Sequence, residues 1–183
     1  MSEVFKSNSE SPENFFITDS QPEDVEAIEK MRYQSWLETY PNDEFGVTKE
    51  MIEERFAPKL STEGLEKRRE QYLQNQKNPD ILNLVAKDDA GQVIGYVFAT
   101  RGDEGNEIDA IYTNKVVHGI GIGGALMQRA LDWIGNEDSF LLVTSYNERA
   151  KNFYKKFGFI EVGEPFIDNV PNMPLQRMER KTR

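Results

Sequence analysis

The sequence predicts a mixed α/β fold in which one central sheet is flanked by helices. Apolar residues recur every four positions at Ile122, Leu126, Ala130 and Ile134, which indicates a long amphipathic helix. Strand-like segments occupy much of residues 81–113, and polar turn residues separate them. A length of 183 residues suits one domain with a full hydrophobic core.

The N-terminal half of the chain predicts one short strand and several helices. Residues 1–13 are rich in Ser, Glu and Asn, so we interpret them as a loose tail before a single domain at residues 14–183. Residues 15–18 predict a strand, and residues 22–40 predict the first helix because apolar residues recur along one face. Residues 35–80 carry the weakest signals. We expect two helices within residues 41–77, and the region is either an insertion over a binding cleft or plain surface helices.

The C-terminal half alternates strands with helices. Strands are predicted at residues 81–86, 93–100, 107–113, 140–144, 159–162 and 175–180. A short helix is predicted at residues 148–156, and the last strand closes the sheet. The centre of the chain therefore follows the order strand, loop, helix, strand, helix, strand.

Composition excludes several classes of protein. The net charge of -10 disfavours nucleic acid as a partner, because an acidic surface repels phosphate groups. The chain has no cysteine and a single histidine, His118, so we predict no disulfide, no cysteine nucleophile and no metal site. No run of about 18 apolar residues could span a membrane, and the N-terminus lacks the apolar core of a signal peptide. We therefore expect a cytoplasmic protein that does not bind membranes.

A glycine-rich loop lies between a predicted strand and the long helix. It comprises His118, Gly119, Ile120, Gly121, Ile122, Gly123 and Gly124. Glycines let the backbone approach a ligand and turn its N–H groups outward, and the helix start adds partial positive charge. The loop therefore predicts a phosphate or pyrophosphate site, which an acidic protein needs to hold an anionic cofactor. A tight turn with close helix packing is the alternative interpretation of these glycines.

Two nucleotide-binding motifs fail on their second requirement. Gly119, Gly121 and Gly124 match G-x-G-x-x-G, but a dinucleotide fold needs an acidic residue about 20 positions further on, where Thr144 and Ser145 stand. The remaining chain is also too short for the rest of such a sheet. A P-loop requires Gly-Lys followed by Ser or Thr, and the loop does not contain this sequence.

Two blocks in the second half of the chain resemble the GNAT superfamily of N-acetyltransferases. Residues 107–126 resemble its central strand and pyrophosphate loop, whose pattern Gln/Arg-x-x-Gly-x-Gly/Ala falls on His118, Gly121 and Gly123. His118 departs from the Gln or Arg that is usual there. Residues 147–159 resemble the family segment Asn-x-x-Ala-x-x-Phe-Tyr-x-x-x-Gly-Phe, which follows at the expected distance. The resemblance implies a splayed, mostly antiparallel sheet and acetyl-CoA as co-substrate.

The resemblance also implies where the cofactor lies. In this family the pantetheine arm pairs with the central strand, here at Ile111, Tyr112 and Thr113, and the pyrophosphate lies on the glycine loop. Asn147 is expected to hydrogen-bond the arm, and it is also a good N-cap for the helix that follows. Tyr154 is expected near the cofactor sulfur, where its phenol can protonate the leaving thiolate. A core aromatic residue on a helix is the alternative interpretation of Tyr154.

Acetylation of an amine also requires a base, because an alkyl ammonium group is protonated at neutral pH. Glu107 and Asp109 are two positions apart on a strand, which places both carboxylates on one face. Either could act as the base, directly or through water, and solvent-facing carboxylates near a strand end are the alternative. Trp36 and Tyr40, four positions apart on the first helix, resemble the acceptor-side aromatic residues of the family. An apolar helix face would have the same spacing.

We therefore predict an N-acetyltransferase that moves the acetyl group of acetyl-CoA to a primary amine. Direct attack in a ternary complex is favoured, since no cysteine is available to carry an acyl group. The acceptor is a small-molecule or peptide amine, and the net negative charge of the chain favours a cationic amine such as a polyamine. Lysine side chains, protein N-termini and aminoglycosides stay open as acceptors, and a homodimer stays open as the assembly. A non-catalytic acyl-CoA-binding sensor is the alternative function.

Overall fold

One sheet of seven strands organises the computed structural model, which describes residues 14–115, 119–167 and 173–182. The strands are β1 (Phe15–Asp19), β2 (Ile81–Asp88), β3 (Val93–Gly102), β4 (Gly105–Thr113), β5 (Ser139–Thr144), β6 (Ile160–Ile167) and β7 (Pro174–Arg180). Their order across the sheet is β1-β2-β3-β4-β5-β7-β6. Neighbouring strands are antiparallel except β4 and β5, which run parallel.

Helices on both faces of the sheet begin at recognisable capping residues. Within the described ranges the helices are α1 (Val25–Thr39), α2 (Lys49–Leu60), α3 (Thr62–Asn75), α4 (Ile122–Ile134) and α5 (Glu148–Lys155). Thr48 and Ser61 are the N-caps of α2 and α3, because their side chains accept hydrogen bonds from the N–H groups of Met51 and Gly64. A single 3-10 turn at Pro22–Asp24 leads into α1.

The helices cover both faces of the first half of the sheet. α4 buries Ile122, Leu126 and Met127 against β3 and β4, and full burial of such a side chain contributes about 1.5–3 kcal/mol. α4 lies so close to β3 that a Cβ atom at Gly95 would come within 2.8 Å of Ile122 Cγ2, so a larger residue there would force side chains of α4 to shift. α1 and α3 pack on the opposite face, where Ile28 is fully buried.

The sheet opens between β4 and β5. Among the described residues these strands pair at Asn106–Ser139 and Glu107–Phe140 and at no later position. Beyond Glu107 the strands diverge, so the outer edge of β4 at residues 108–113 faces a gap instead of a neighbouring strand. The splayed, mostly antiparallel sheet that the resemblance implies is therefore confirmed.

Beyond the gap, the β5-β7-β6 half of the sheet carries a helix on one face only. Phe153 of α5 and Phe157, which follows the helix, pack into the same core as α4. On the other face, Leu142, Val162 and Phe166 are 37%, 38% and 45% exposed. Within the described ranges no helix covers this second face, and we call it the open face.

The predicted elements are all present, and the differences lie at their ends. β3 and β4 continue to pair as far as Gly102–Gly105, so the turn between them is shorter than the sequence predicts. β6 runs on to Ile167, because it pairs with β7 again after a bulge. The tail predicted at residues 1–13 lies outside the described residues, so the domain limits stay a prediction. In the part of the chain that is described, no helix is long and apolar enough to cross a membrane.

Candidate active site

The gap between β4 and β5 holds a cavity of about 300 Å³ whose walls come from α1, β4, β5 and the start of α5. The predicted catalytic and acceptor-side residues that line it are Trp36, Tyr40, Glu107, Asp109 and Tyr154. A second cavity of about 190 Å³ adjoins it between α1, the end of β4 and α5. The residues that line both cavities are Ser35, Thr39, Ile111, Tyr112, Asn147, Ala150 and Tyr154. The fold thus brings residues predicted for cofactor and acceptor to one place.

The glycine loop presents main-chain donors at the start of α4. Gly119 and Gly121 have φ angles of +94° and +93°, in the left-handed region that favours glycine. Gly121 is the N-cap, and the N–H of Ala125 donates a hydrogen bond to its carbonyl oxygen at 2.9 Å. The N–H groups of residues 122–124 therefore have no acceptor within the helix, and they lie beside a cavity of about 630 Å³. With the helix dipole, such groups suit an anion, and the predicted phosphate site at this loop stays a prediction. The predicted loop residue His118 lies outside the described residues.

Positive side chains near the loop fall into two groups. Lys155 and Lys151 lie 2.6 and 3.4 Å from the carboxylate oxygens of Glu161, so acidic neighbours already compensate their charge. Arg149 and Lys156 instead line the cavity beside the glycine loop. These two cations are therefore in position to meet the phosphate groups of a ligand.

Asn147 caps α5 and also faces the gap. Its side-chain oxygen accepts a hydrogen bond from the N–H of Ala150 at 3.1 Å, so the N-cap that the sequence favours is present. The same side chain lines the two adjoining cavities. A contact with the pantetheine arm is compatible with the cap, and that role of Asn147 stays a prediction.

The two carboxylates on β4 have different surroundings. Burial raises the pKa of Glu107 to about 7, and the charge of Asp109 adds to this effect while Arg177 opposes it. Burial also raises the pKa of Asp109, but the hydroxyl of Thr100 donates a hydrogen bond to its carboxylate at 3.0 Å and opposes the rise. Glu107 is therefore the carboxyl group that changes protonation near neutral pH.

Tyr154 lies on α5 among aromatic side chains. Its ring centroid is 5.4 Å from that of Phe153 and 6.2 Å from that of Phe159. Burial raises the pKa of Tyr154 well above its usual range, and the nearby Tyr112 adds to the effect. The phenol therefore keeps its proton at neutral pH and is available as a hydrogen-bond or proton donor.

Trp36 and Tyr40 belong to an aromatic cluster that borders the gap, on the side predicted to bind the acceptor. Their ring centroids are 4.8 Å apart in an edge contact, and the guanidinium of Arg55 lies 4.9 Å from the Trp36 ring. The indole N–H of Trp36 donates a hydrogen bond to the hydroxyl of Tyr112 at 3.0 Å. The hydroxyl of Tyr146 donates to the main-chain oxygen of Tyr40 at 2.7 Å, which ties the end of α1 to the loop before α5.

Several residues that line the gap carry little signal in the sequence. Tyr112 is expected to offer its backbone to the cofactor, yet its side chain also reaches the acceptor-side cluster. Ser35 and Thr39 line both cavities from α1, and their spacing of four positions is the signal that could have found them. Arg55 comes from α2, and only tertiary packing brings it to the gap.

Comparison with known proteins identifies this arrangement. Residues 33–159 match the Acetyltransferase (GNAT) family. The fold is similar to the PaiA N-acetyltransferase of Thermoplasma acidophilum in complex with coenzyme A, with a TM-score of 0.72, 25% identity and coverage of 92% of this chain and 99% of that chain. A probable N-acetyltransferase of Mycobacterium tuberculosis is 28% identical over 158 residues, 85% of each chain. The peptidyl-lysine N-acetyltransferase YjaB of Escherichia coli is 30% identical over 92 residues, which are 50% of this chain and 58% of that protein.

The fold and the gap define an N-acetyltransferase that uses acetyl-CoA as its co-substrate. The family match covers more than half of the sequence, and this chain belongs to the GNAT family of acetyltransferases. The predicted family, enzyme class and co-substrate are therefore confirmed. The roles of individual site residues stay predictions.

Proposed function

We propose that this enzyme transfers an acetyl group to the primary amine of a cationic acceptor by direct attack within a ternary complex. Glu107 is the general base, and Tyr154 donates a proton to the leaving thiolate. The observation that carries the proposal is that both side chains line one cavity at the point where β4 and β5 separate.

The described residues fit acetyl-CoA, which supplies the acetyl group as an activated thioester. The free N–H groups of residues 122–124 suit its pyrophosphate, and the open edge of β4 at residues 111–113 suits the amides of its pantetheine arm. A Cβ atom at Gly123 would lie 3.7 Å from the Phe153 ring and 3.8 Å from Thr113, so a side chain there would fill the passage between α4, β4 and α5. The glycine keeps this passage open.

Glu107 suits the role of base better than Asp109 does. A general base works best when its pKa lies near the working pH, and the pKa of Glu107 is about 7. The hydrogen bond from Thr100 stabilises the charged form of Asp109 and makes it a weaker base. Proton transfer from an ammonium of pKa about 10 to Glu107 is uphill by about 4 kcal/mol. That cost fits within the barrier of about 16 kcal/mol that corresponds to a turnover of roughly 10 per second.

Tyr154 completes the proton balance of the reaction. The amine loses one proton to Glu107, and the departing thiolate gains one from the phenol of Tyr154. The raised pKa of Tyr154 keeps that proton in place until the sulfur leaves. Because a thiolate is a weaker base than this phenolate, the transfer is uphill and is drawn forward by release of the products. Exchange with solvent then restores both side chains.

A cationic acceptor is favoured by the charge and the aromatic surface of the cavity. Glu107 and Asp109 place two carboxylates on its wall, and Trp36, Tyr40 and Tyr112 add aromatic rings, which attract ammonium groups. Lysine side chains and polyamines both present such a group. The E. coli relative is named for acetylation of peptidyl lysine, so both acceptor types belong in the first experiment.

An acceptor screen tests the proposal. Release of the coenzyme A thiol is followed with acetyl-CoA and, in turn, spermidine, a lysine-containing peptide, the same peptide with acetylated lysines, an aminoglycoside and a weakly basic aromatic amine. We expect the fastest release with an acceptor that carries an alkyl ammonium group. Preference for the aromatic amine would contradict the acceptor class. Thermal stabilisation by acetyl-CoA without turnover of any amine would instead establish an acyl-CoA-binding sensor.

A further inference from the structure

Glu107 has a cationic neighbour from the far end of the chain. Glu107 pairs with Phe140 across β4 and β5, and Leu142 pairs with Arg177 across β5 and β7. Side chains of cross-strand partners project from the same face, and so do residues two apart on one strand. Glu107, Phe140, Leu142 and Arg177 therefore project from the same side of the sheet, and the last three lie on the open face.

Arg177 is held in a defined position on that face. Its guanidinium carbon lies 3.7 Å from the centroid of the Phe140 ring, which is the residue paired with Glu107. Its Nε atom donates a hydrogen bond to Glu179 at 2.9 Å. The guanidinium therefore pairs directly with one carboxylate, that of Glu179, which Lys181 also contacts at 3.0 Å. It acts on the second carboxylate, that of Glu107, through its charge.

We propose that Arg177 is a positioning residue that tunes the general base, and that Glu179 limits how strongly it does so. This inference rests on the proposed role of Glu107. Arg177 touches neither substrate in this scheme and acts through the carboxylate alone. Glu179 holds the guanidinium over Phe140 and partly neutralises it, so that Glu107 keeps its affinity for a proton.

The charges that face Glu107 support this division of roles. Asp109 on the same strand and Glu104 at the preceding turn both raise the pKa of Glu107, in addition to the larger effect of burial. Arg177 acts in the opposite direction and favours the charged carboxylate. The other charged or titratable side chains that line the cavity are Tyr40, Arg55, Tyr112 and Tyr154.

Substitutions of Arg177 and Glu179 should shift the pKa of Glu107 in opposite directions. Arg177→Met keeps an apolar stem over Phe140 but removes the cation, so the pKa of Glu107 rises. The acidic limb in the pH profile of kcat/KM therefore moves to higher pH by roughly half to one pH unit. On that limb, activity at a fixed pH falls about three- to tenfold. Glu179→Gln removes the competing anion, so the limb moves to lower pH by a smaller amount. Arg177→Lys keeps the charge and restores most of the wild-type profile.

Arg180→Gln is the matched control, because it removes the same charge from the same strand. Arg180 follows Met178 at period two and therefore faces the α4 side of the sheet, beside Gln128 and Leu131. We expect no shift of the limb in Arg180→Gln. An equal shift in this variant would show a general effect of net charge and overturn the proposal.

A direct titration separates this inference from the proposed function. The carboxyl carbon signal of Glu107 is followed by NMR in protein labelled with ¹³C-glutamate, and its loss in Glu107→Gln assigns it. Opposite shifts in Arg177→Met and Glu179→Gln, in both the NMR titration and the rate profile, support the inference. If Glu107→Gln keeps the acidic limb, the proposed base is wrong. If that limb disappears in Glu107→Gln but neither Arg177→Met nor Glu179→Gln moves the titration, the inference alone is wrong.

Discussion

The cofactor side of the gap is built mainly from main-chain groups, whereas the acceptor side is built from side chains. On the cofactor side, the first-turn N–H groups of α4 and the open edge of β4 are present whatever side chains those residues carry. On the acceptor side, Glu107, Asp109, Trp36 and Tyr112 form the walls through their side chains.

This contrast explains why the two sides differ in how freely they can change. A main-chain site needs glycine at a few positions and is lost when the backbone moves. A side-chain site can be altered one residue at a time while the fold stays intact. We therefore expect substitutions on the acceptor side to change turnover, and substitutions on the cofactor side to change the affinity for acetyl-CoA.

The largest expected effect separates the two carboxylates of the acceptor side. Glu107→Gln removes the base and lowers kcat/KM by about 10²–10⁴-fold, whereas Asp109→Asn lowers it by less than about tenfold. The KM for acetyl-CoA stays unchanged in both variants, because neither group belongs to the cofactor side. Steady-state rates at saturating acceptor measure this. The reverse ranking would make Asp109 the base.

Tyr154 lines both cavities, so its substitution tests the place where the cofactor side and the acceptor side meet. Tyr154→Phe removes the proton donor, so kcat falls by roughly 10–100-fold while the KM for acetyl-CoA changes by less than about threefold. Tyr146→Phe is the control, since it removes a nearby phenol whose hydroxyl donates a hydrogen bond to the backbone of Tyr40. Equal loss of kcat in the two variants would show that Tyr154 acts through packing.

Substitution of Gly121 tests the main-chain anion site at the start of α4, because it changes the backbone conformation without adding a steric contact. A Cβ atom at Gly121 or at Gly91 meets nothing within 4 Å, and both residues have positive φ angles, +93° and +77°. Alanine at either position therefore costs about 1–2 kcal/mol of stability. Only Gly121→Ala should weaken acetyl-CoA binding, by about tenfold, because it moves the donors of α4. Titration calorimetry measures the affinity, and equal affinities would contradict a main-chain anion site.

The smallest expected effect comes from Asn147, which combines a helix cap with a place at the gap. Asn147→Ala and Ser61→Ala each remove an N-cap and lower the free energy of unfolding by about 1 kcal/mol. Asn147→Ala alone should also raise the KM for acetyl-CoA a few-fold. Urea denaturation and initial rates give the two quantities. An unchanged KM would leave Asn147 as a cap and nothing more.

Local patterns explain what could be predicted from the sequence. α4 has an apolar face that repeats along the helix, and the glycines before it mark a site made of backbone. The caps at Thr48 and Ser61 are also local features but were not predicted, and α2 and α3 each bury few apolar residues, so their pattern is faint. Helices of this kind owe their position to tertiary packing.

Contacts between distant parts of the chain explain what could not be predicted. The neighbourhood of Glu107 and Arg177 depends on β7 lying between β5 and β6, an order that no local pattern encodes. The hydrogen bond from Trp36 to Tyr112 joins residues 76 positions apart. The end of β6 is also set by its partner strand, because all eight of its residues are exposed and show no alternation.

The unequal edges of β4 have a consequence for isotope exchange. β3 pairs with one edge of β4 from Gly105 to Thr113 except at a bulge at Asp109, while beyond Glu107 the other edge faces the gap. Amides alternate between the two edges, so neighbouring residues of one strand should take up deuterium at two different speeds. Acetyl-CoA should cover the second edge of β4. The amides on that edge should then exchange as slowly as the amides that pair with β3. That convergence would report occupancy of the enzyme before any acceptor is known.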